Sequence, residues 1–90
     1  MEIGARIIVR GVVQGVGFRY FVYTHATILG IVGFASNLEN GDVLIEAEGD
    51  RSLIEQLIKE VNVGPRFARV TDLKVEWKAP KHQFQNFIIR

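Results

Sequence analysis

Along this chain the spacing of apolar and polar positions shifts between strand and helix periods, and each shift marks a new element. Residues 3–13 form a nearly continuous β-branched run with Arg6 and Arg10 interspersed, and the unbroken Ile7, Ile8 and Val9 predict a central strand. Over residues 18–29 the period lengthens. Phe18, Phe21, Val22, Ala26 and Leu29 recur at the three-to-four spacing of an amphipathic helix, and Gly30 follows as its C-terminal cap. Residues 31–39 and 42–48 predict two strands joined by Asn40-Gly41, a strong short hairpin turn. In the second of these strands Val43, Ile45 and Ala47 share one face, while Glu46 and Glu48 share the other.

A second helix opens at Gly49-Asp50-Arg51-Ser52. Ser52 and Glu55 are spaced for a capping box, Leu53, Leu57, Ile58 and Val61 form the buried stripe, and Gly64-Pro65 ends the helix. Residues 70–78 alternate cleanly, with Leu73, Val75 and Trp77 against Asp72, Lys74 and Glu76, as expected of a strand with one wet face. After a turn at Ala79-Pro80-Lys81, residues 84–90 supply a short closing strand at an edge. The order strand, helix, strand, strand, helix, strand, with a last strand added, satisfies the right-handed crossover rule if both helices cover one face of a single sheet. The fold class is therefore α+β, a ferredoxin-like split βαβ sandwich, with residues 1–90 as a single domain.

Composition narrows the function classes. With 48% hydrophobic and 23% charged residues the chain falls in the globular range. Cysteine is absent, which removes disulfides and thiolate nucleophiles, and the two histidines, His25 and His82, have no companion at metal-ligand spacing. No metal or organic cofactor is expected. The N-terminus has no basic stretch followed by a long apolar one, and the longest apolar run, residues 28–35, is broken by glycines and too short to span a membrane. The expectation is a soluble, cytoplasmic monomer without a membrane partner. A net charge of +1 is too small for a general grip on nucleic acid, so a small-molecule partner is expected.

The chemistry concentrates where the first strand pattern meets the first helix, in Gln14-Gly15-Val16-Gly17-Phe18-Arg19. Glycine lets backbone approach a ligand closely, and the first N–H groups of a helix lack intrahelical partners, so this junction has the makings of an anion cradle. Arg19 could fork onto two phosphate oxygens. The better-known glycine loops do not fit. A Walker A loop would need its second glycine where Val16 stands and a lysine after it, and a dinucleotide loop would need a glycine where Tyr20 stands. Helical spacing predicts that most of the aromatic residues Phe18, Tyr20, Phe21, Tyr23 and Phe34 lie in the core or at its rim.

The same loop, followed by Leu29-Gly30-Ile31, Gly33-Phe34, Asn37, Asn40-Gly41, Ala47-Glu48-Gly49, and Gly64-Pro65 with Ala68 and Val70, resembles the acylphosphatase family across nearly the whole chain. The resemblance implies a cofactor-free hydrolase that cleaves the carboxyl-phosphate bond of a small acyl phosphate. It implies that the loop Gln14, Gly15, Val16, Gly17, Phe18 and Arg19 holds the phosphate and that Asn37 positions the attacking water. The residue types agree with that chemistry. A cysteine-free loop with one arginine offers electrostatic stabilisation rather than a covalent intermediate, and an amide can orient water but cannot take its proton. A carboxylate such as Asp42 or Glu39 would repel the phosphate, so a phosphate oxygen of the substrate is the expected proton acceptor.

The chain departs from the family pattern at Phe34, where tryptophan is common, and at Ala35-Ser36, where a bulky apolar residue and often a basic one stand. These changes bear on affinity and substrate preference. Two other readings share the chain order. An RNA-recognition domain would carry aromatics on both central strands, but residues 42–48 are acidic and have none. An acylphosphatase-like module of a larger carbamoyl-transferring protein is the other; a chain that starts at Met1 and closes just after its last strand is expected to be free-standing instead.

Overall fold

The computed structural model describes residues 1–90. In chain order they form β1 (Glu2–Val12), α1 (Phe18–Ile28), β2 (Val32–Asn37), β3 (Val43–Asp50), α2 (Arg51–Val63), β4 (Arg69–Lys78) and β5 (Phe87–Ile89). The five strands make one sheet in the order β4-β1-β3-β2-β5, antiparallel except for the parallel β2–β5 pair. β1 is central, as its apolar run requires, with Ile7 opposite Ile45 on one side and Val75 on the other. Ala5, Ile7 and Val9 of β1 and Val43, Ile45 and Ala47 of β3 are fully buried beneath Val22 and Ala26 of α1 and Ile54, Leu57 and Val61 of α2. Each large apolar side chain buried there contributes roughly 1.5–3 kcal/mol relative to exposure. This is the predicted split βαβ sandwich.

α1 stops where its sequence says it should. The Gly30 amide donates to Thr27 O at 3.1 Å and the Ile31 amide to Ala26 O at 2.9 Å, a Schellman closure around a left-handed Gly30. The start of α2 differs from expectation. Its N-cap is Asp50, whose carboxylate accepts from the Ser52 amide at 2.9 Å and also from the Ser52 hydroxyl, so the helix begins two residues earlier than a Ser52–Glu55 capping box would place it. The buried stripe shifts accordingly: Ile54 joins Leu57 and Val61 at full burial, and Leu53 and Ile58 sit at the rim.

The β2–β3 connection is also longer than a two-residue hairpin. β2 ends at Asn37, which pairs with Val43, and residues 38–42 form the turn. Asn40 explains the change. Its Oδ1 accepts from the Asp42 amide at 3.0 Å and its Nδ2 donates to the Asp42 carboxylate at 3.1 Å, so a local side chain takes the Asp42 amide in place of a partner across the turn. Asn37 is thereby left as the last paired residue of its strand.

Glu46 and Glu48 lie on the sheet face opposite the helices, as predicted, yet both are buried. Glu46 takes 2.6 Å contacts from Arg6 Nε and from Lys78 Nζ across the neighbouring strands. Burial opposes its ionisation, but the hydrogen bonds from Lys78 and Arg6 outweigh that cost and hold the carboxyl below its ordinary range. Glu48 accepts from the backbone amides of Lys81 and His82 at 2.7 and 3.1 Å, drawing the segment before β5 over this end of the sheet. The polar face is thus laced by ion pairs rather than simply wet. β5 spans three residues and lies at the edge beside β2, shorter than the expected 84–90.

Candidate active site

The chain between β1 and α1 turns twice through left-handed glycines, Gly15 at φ 74° and Gly17 at φ 76°. Only glycine adopts these angles without strain, and a Cβ at either would meet nothing within 4 Å, so both glycines border open space. Gly17 is the N-cap of α1, and no side chain caps the helix there. No acidic residue occupies the first turn either. Consequently the amides of Gly15, Val16, Gly17, Phe18 and Arg19 donate no hydrogen bond within the protein. Five consecutive free donors at the positive end of a helix dipole make an electropositive, anion-accepting turn.

This turn opens on a pocket of roughly 180 Å³ lined by Val13, Gly15, Gly17, Phe18, Arg19, Tyr20, Asn37 and Ile89. Of the residues singled out from sequence, Gly15, Gly17, Phe18, Arg19 and Asn37 therefore meet at one place, and Gln14 and Val16 stand behind it. Val16 packs against the core, and Phe18, only 2% exposed, anchors the loop from below. Gln14 ties the turn to its neighbour. Its Nε2 donates to Leu38 O at 2.8 Å and to Asp42 O at 2.9 Å, pinning the glycine turn to the β2–β3 turn that follows Asn37. One side chain thus fixes the spacing between the two halves of the pocket.

Arg19 is half-buried, and its Nη1 donates to the main-chain oxygen of Arg90 at 2.8 Å. Arg90 is held in turn: its amide donates to Ala35 O at 2.9 Å, and its guanidinium lies 3.9 Å above the Phe34 ring, which meets Phe84 edge-on. The Arg19 guanidinium keeps donors to spare after this single bond, so it is oriented but not consumed. Asn37 is exposed at the end of β2, and its side-chain amide makes no hydrogen bond within the protein. Asp42 does not compete for the site. Its carboxylate accepts from Arg10 Nε at 3.3 Å and from Asn40 Nδ2, and its side chain is nearly buried.

Among the aromatic residues Phe18, Tyr20, Phe21, Tyr23 and Phe34, Tyr20 is the one that lies outside the core and its rim; it is 67% exposed and forms part of the pocket wall with Ile89. Position 20 lies off the Phe18, Val22, Ala26 stripe, and that displacement is the sequence signal for it. Ile89 and Arg90 carried no signal, because they reach the site only through the parallel pairing of β5 with β2. His25 packs 4.4 Å from Phe21 with Glu60 at 3.9 Å, and His82 is exposed; both lie outside the pocket. No cluster of three His, Cys, Asp or Glu side chains is placed to hold a metal ion, and no helix is long and apolar enough to cross a membrane.

The family model for acylphosphatase matches residues 5–89. The chain belongs to the acylphosphatase family. It is 47% identical over 81 residues to the acylphosphatase of Caldanaerobacter subterraneus subsp. tengcongensis, covering 90% of each chain. The crystal structure of acylphosphatase from Bacillus subtilis is similar at a TM-score of 0.95 and 38% identity, with 98% of each chain covered. Full-length HypF, solved in a phosphate- and nucleotide-bound form, is similar at a TM-score of 0.89 and 28% identity over all of this chain but 12% of its own. Membership makes the chain an enzyme of the acylphosphatase class, an acyl phosphate hydrolase.

Proposed function

We propose that the glycine turn and Arg19 hold the phosphoryl group of a small acyl phosphate while Asn37 positions the water that attacks it. The observation that carries this reading is the convergence on one pocket of Arg19, the unpartnered Asn37 amide, and a glycine turn whose amides make no hydrogen bond within the protein. Charge on the equatorial oxygens of a transferring phosphoryl group is stabilised by fixed donors that need no reorganisation, which is what Gly15 through Arg19 supply. Asn37 accepts a hydrogen bond from water through its carbonyl oxygen and donates through its NH₂ to a phosphoryl oxygen, setting the line of attack.

The water oxygen bonds to phosphorus as the bond from phosphorus to the carboxyl oxygen breaks, and the bonding pair leaves with the carboxylate. That group has a pKa of about 4, so it departs ionised and requires no general acid. The water proton passes to a phosphoryl oxygen, giving inorganic phosphate, since the nearby carboxylate of Asp42 is engaged by Arg10. Acyl phosphate hydrolysis in the presence of chelator, by the native chain, Arg19→Ala and Asn37→Ala, tests the scheme. Both variants should stay folded and lose activity by roughly 10²-fold or more. Variants that match the native rate would remove these two residues from the reaction, and an inert native chain with tight carbamoyl phosphate binding would favour a module of the HypF kind.

A further inference from the structure

The pocket has two unlike sides. One is the glycine turn with Arg19; the other is apolar, made by Val13, Phe18, Tyr20 and Ile89. Val13 and Phe18 are 1% and 2% exposed and have no surface left to offer a ligand, whereas Tyr20 is 67% and Ile89 43% exposed. Both of these are ordered from behind. The Tyr20 ring stacks on Tyr23 with centroids 6.1 Å apart and 27° between planes, and Ile89 sits in β5 opposite Ala35 of β2. Tyr20 and Ile89 are the exposed apolar members of the pocket lining, so an acyl group carried out of the glycine turn along this side runs over them.

We infer that Tyr20 and Ile89 form the acyl subsite and that it selects aromatic or other apolar acyl groups over the acetyl group. Beyond Arg19 no charged side chain lines the pocket, so a charged acyl group would find no partner there. Stacking on a preordered tyrosine costs little side-chain entropy, and an aromatic acyl group covers apolar surface that an acetyl group cannot reach. This inference rests on the phosphate reading of the same pocket, and it names the substrate feature that the phosphate cradle itself cannot read.

The test compares kcat/KM for benzoyl phosphate and acetyl phosphate in the native chain, Tyr20→Ala and Ile89→Ser. The double ratio of variant to native cancels the intrinsic reactivity of the two substrates. Tyr20→Ala should lower the benzoyl-to-acetyl ratio by roughly three- to tenfold, the weight of one lost aromatic contact, and Ile89→Ser should lower it less. Tyr20→Phe should restore the native ratio. A ratio unchanged in Tyr20→Ala, including one where both substrates slow in parallel, overturns the subsite while leaving the hydrolysis intact. If the native chain cleaves neither substrate, it is the phosphate reading that fails, and the subsite goes with it. Should Tyr20→Ala not fold by circular dichroism, Ile89→Ser decides, with an unchanged ratio again overturning the assignment.

Discussion

Gln14→Ala separates positioning from chemistry more sharply than any change to the cradle itself. The side chain spans the gap between the glycine turn and the β2–β3 turn with two hydrogen bonds, to Leu38 O and Asp42 O. Each acceptor keeps a backbone partner when Gln14 is removed: Leu38 O accepts from the Gly41 amide at 3.2 Å, and Asp42 O from the Leu38 amide at 2.8 Å. Neither carbonyl is orphaned, so the loss lies near the net value of a hydrogen bond, about 1 kcal/mol each and about 2 kcal/mol in all. For a domain of this size that corresponds to a fall in Tm of roughly 8–16 °C, measurable by calorimetry. Activity should fall further than stability explains, because a displacement of about 1 Å between the phosphate cradle and Asn37 costs on the order of 10²-fold. At a temperature where the variant is fully folded, kcat should drop by at least about tenfold. Full kcat in a destabilised but folded variant would show that Gln14 holds the fold and not the geometry of the site.

Other changes test other parts of the account. Removing the charge of Glu46 by Glu46→Gln leaves Arg6 and Lys78 facing each other; since Arg6 is about half exposed, the expected loss is about 1–3 kcal/mol by urea denaturation, below that of a fully enclosed pair. Gly33→Ala should be far worse, because its Cβ would lie 1.8 Å from the Glu46 carbonyl oxygen at φ 141°; a loss of at least about 3 kcal/mol, or no folded protein, is expected by circular dichroism. The Asp50 carboxyl is drawn down to about 2 by the Ser52 hydroxyl, the N-terminal ammonium and the Ser52 amide. A depressed pKa means that the folded state holds this proton more weakly, so its contribution is complete above the ordinary value of 3.8 and is lost as pH falls through about 2. Asp50→Asn, which can still cap α2, should therefore lower Tm at pH 7 and flatten its decline between about pH 4 and pH 2.

Much of this molecule is legible in local pattern. The periods of β1, α1 and β4 reflect which face each element buries, and the sheet follows from their order. The loop from Gln14 to Arg19 is legible too, because two glycines at a strand-to-helix junction have few other uses. What the pattern misses depends on partners distant in sequence. Glu46 alternates like a solvent-facing residue, yet its burial depends on Arg6 and Lys78, 40 and 32 positions away by residue number. Asp50 displaces Ser52 as the cap because its carboxylate reaches two Ser52 donors at once. Ile89 and the Arg90 main-chain oxygen join the site only because β5 runs parallel to β2, a pairing that no local signal announces. The reach of Gln14 across the gap to Leu38 and Asp42 is likewise tertiary.

If the glycine turn, Arg19 and Asn37 form one phosphate site, phosphate alone should bind there. Such a site is tested most directly by titrating the ¹⁵N-labelled protein with inorganic phosphate and following its amide resonances. Saturable shifts are expected in the Gly15, Val16, Gly17, Phe18 and Arg19 amides and in the Asn37 side-chain NH₂, all abolished in Arg19→Ala. Resonances here that do not move, or saturable shifts confined to another surface such as the groove of His25 and Lys59 between the helices, would contradict it.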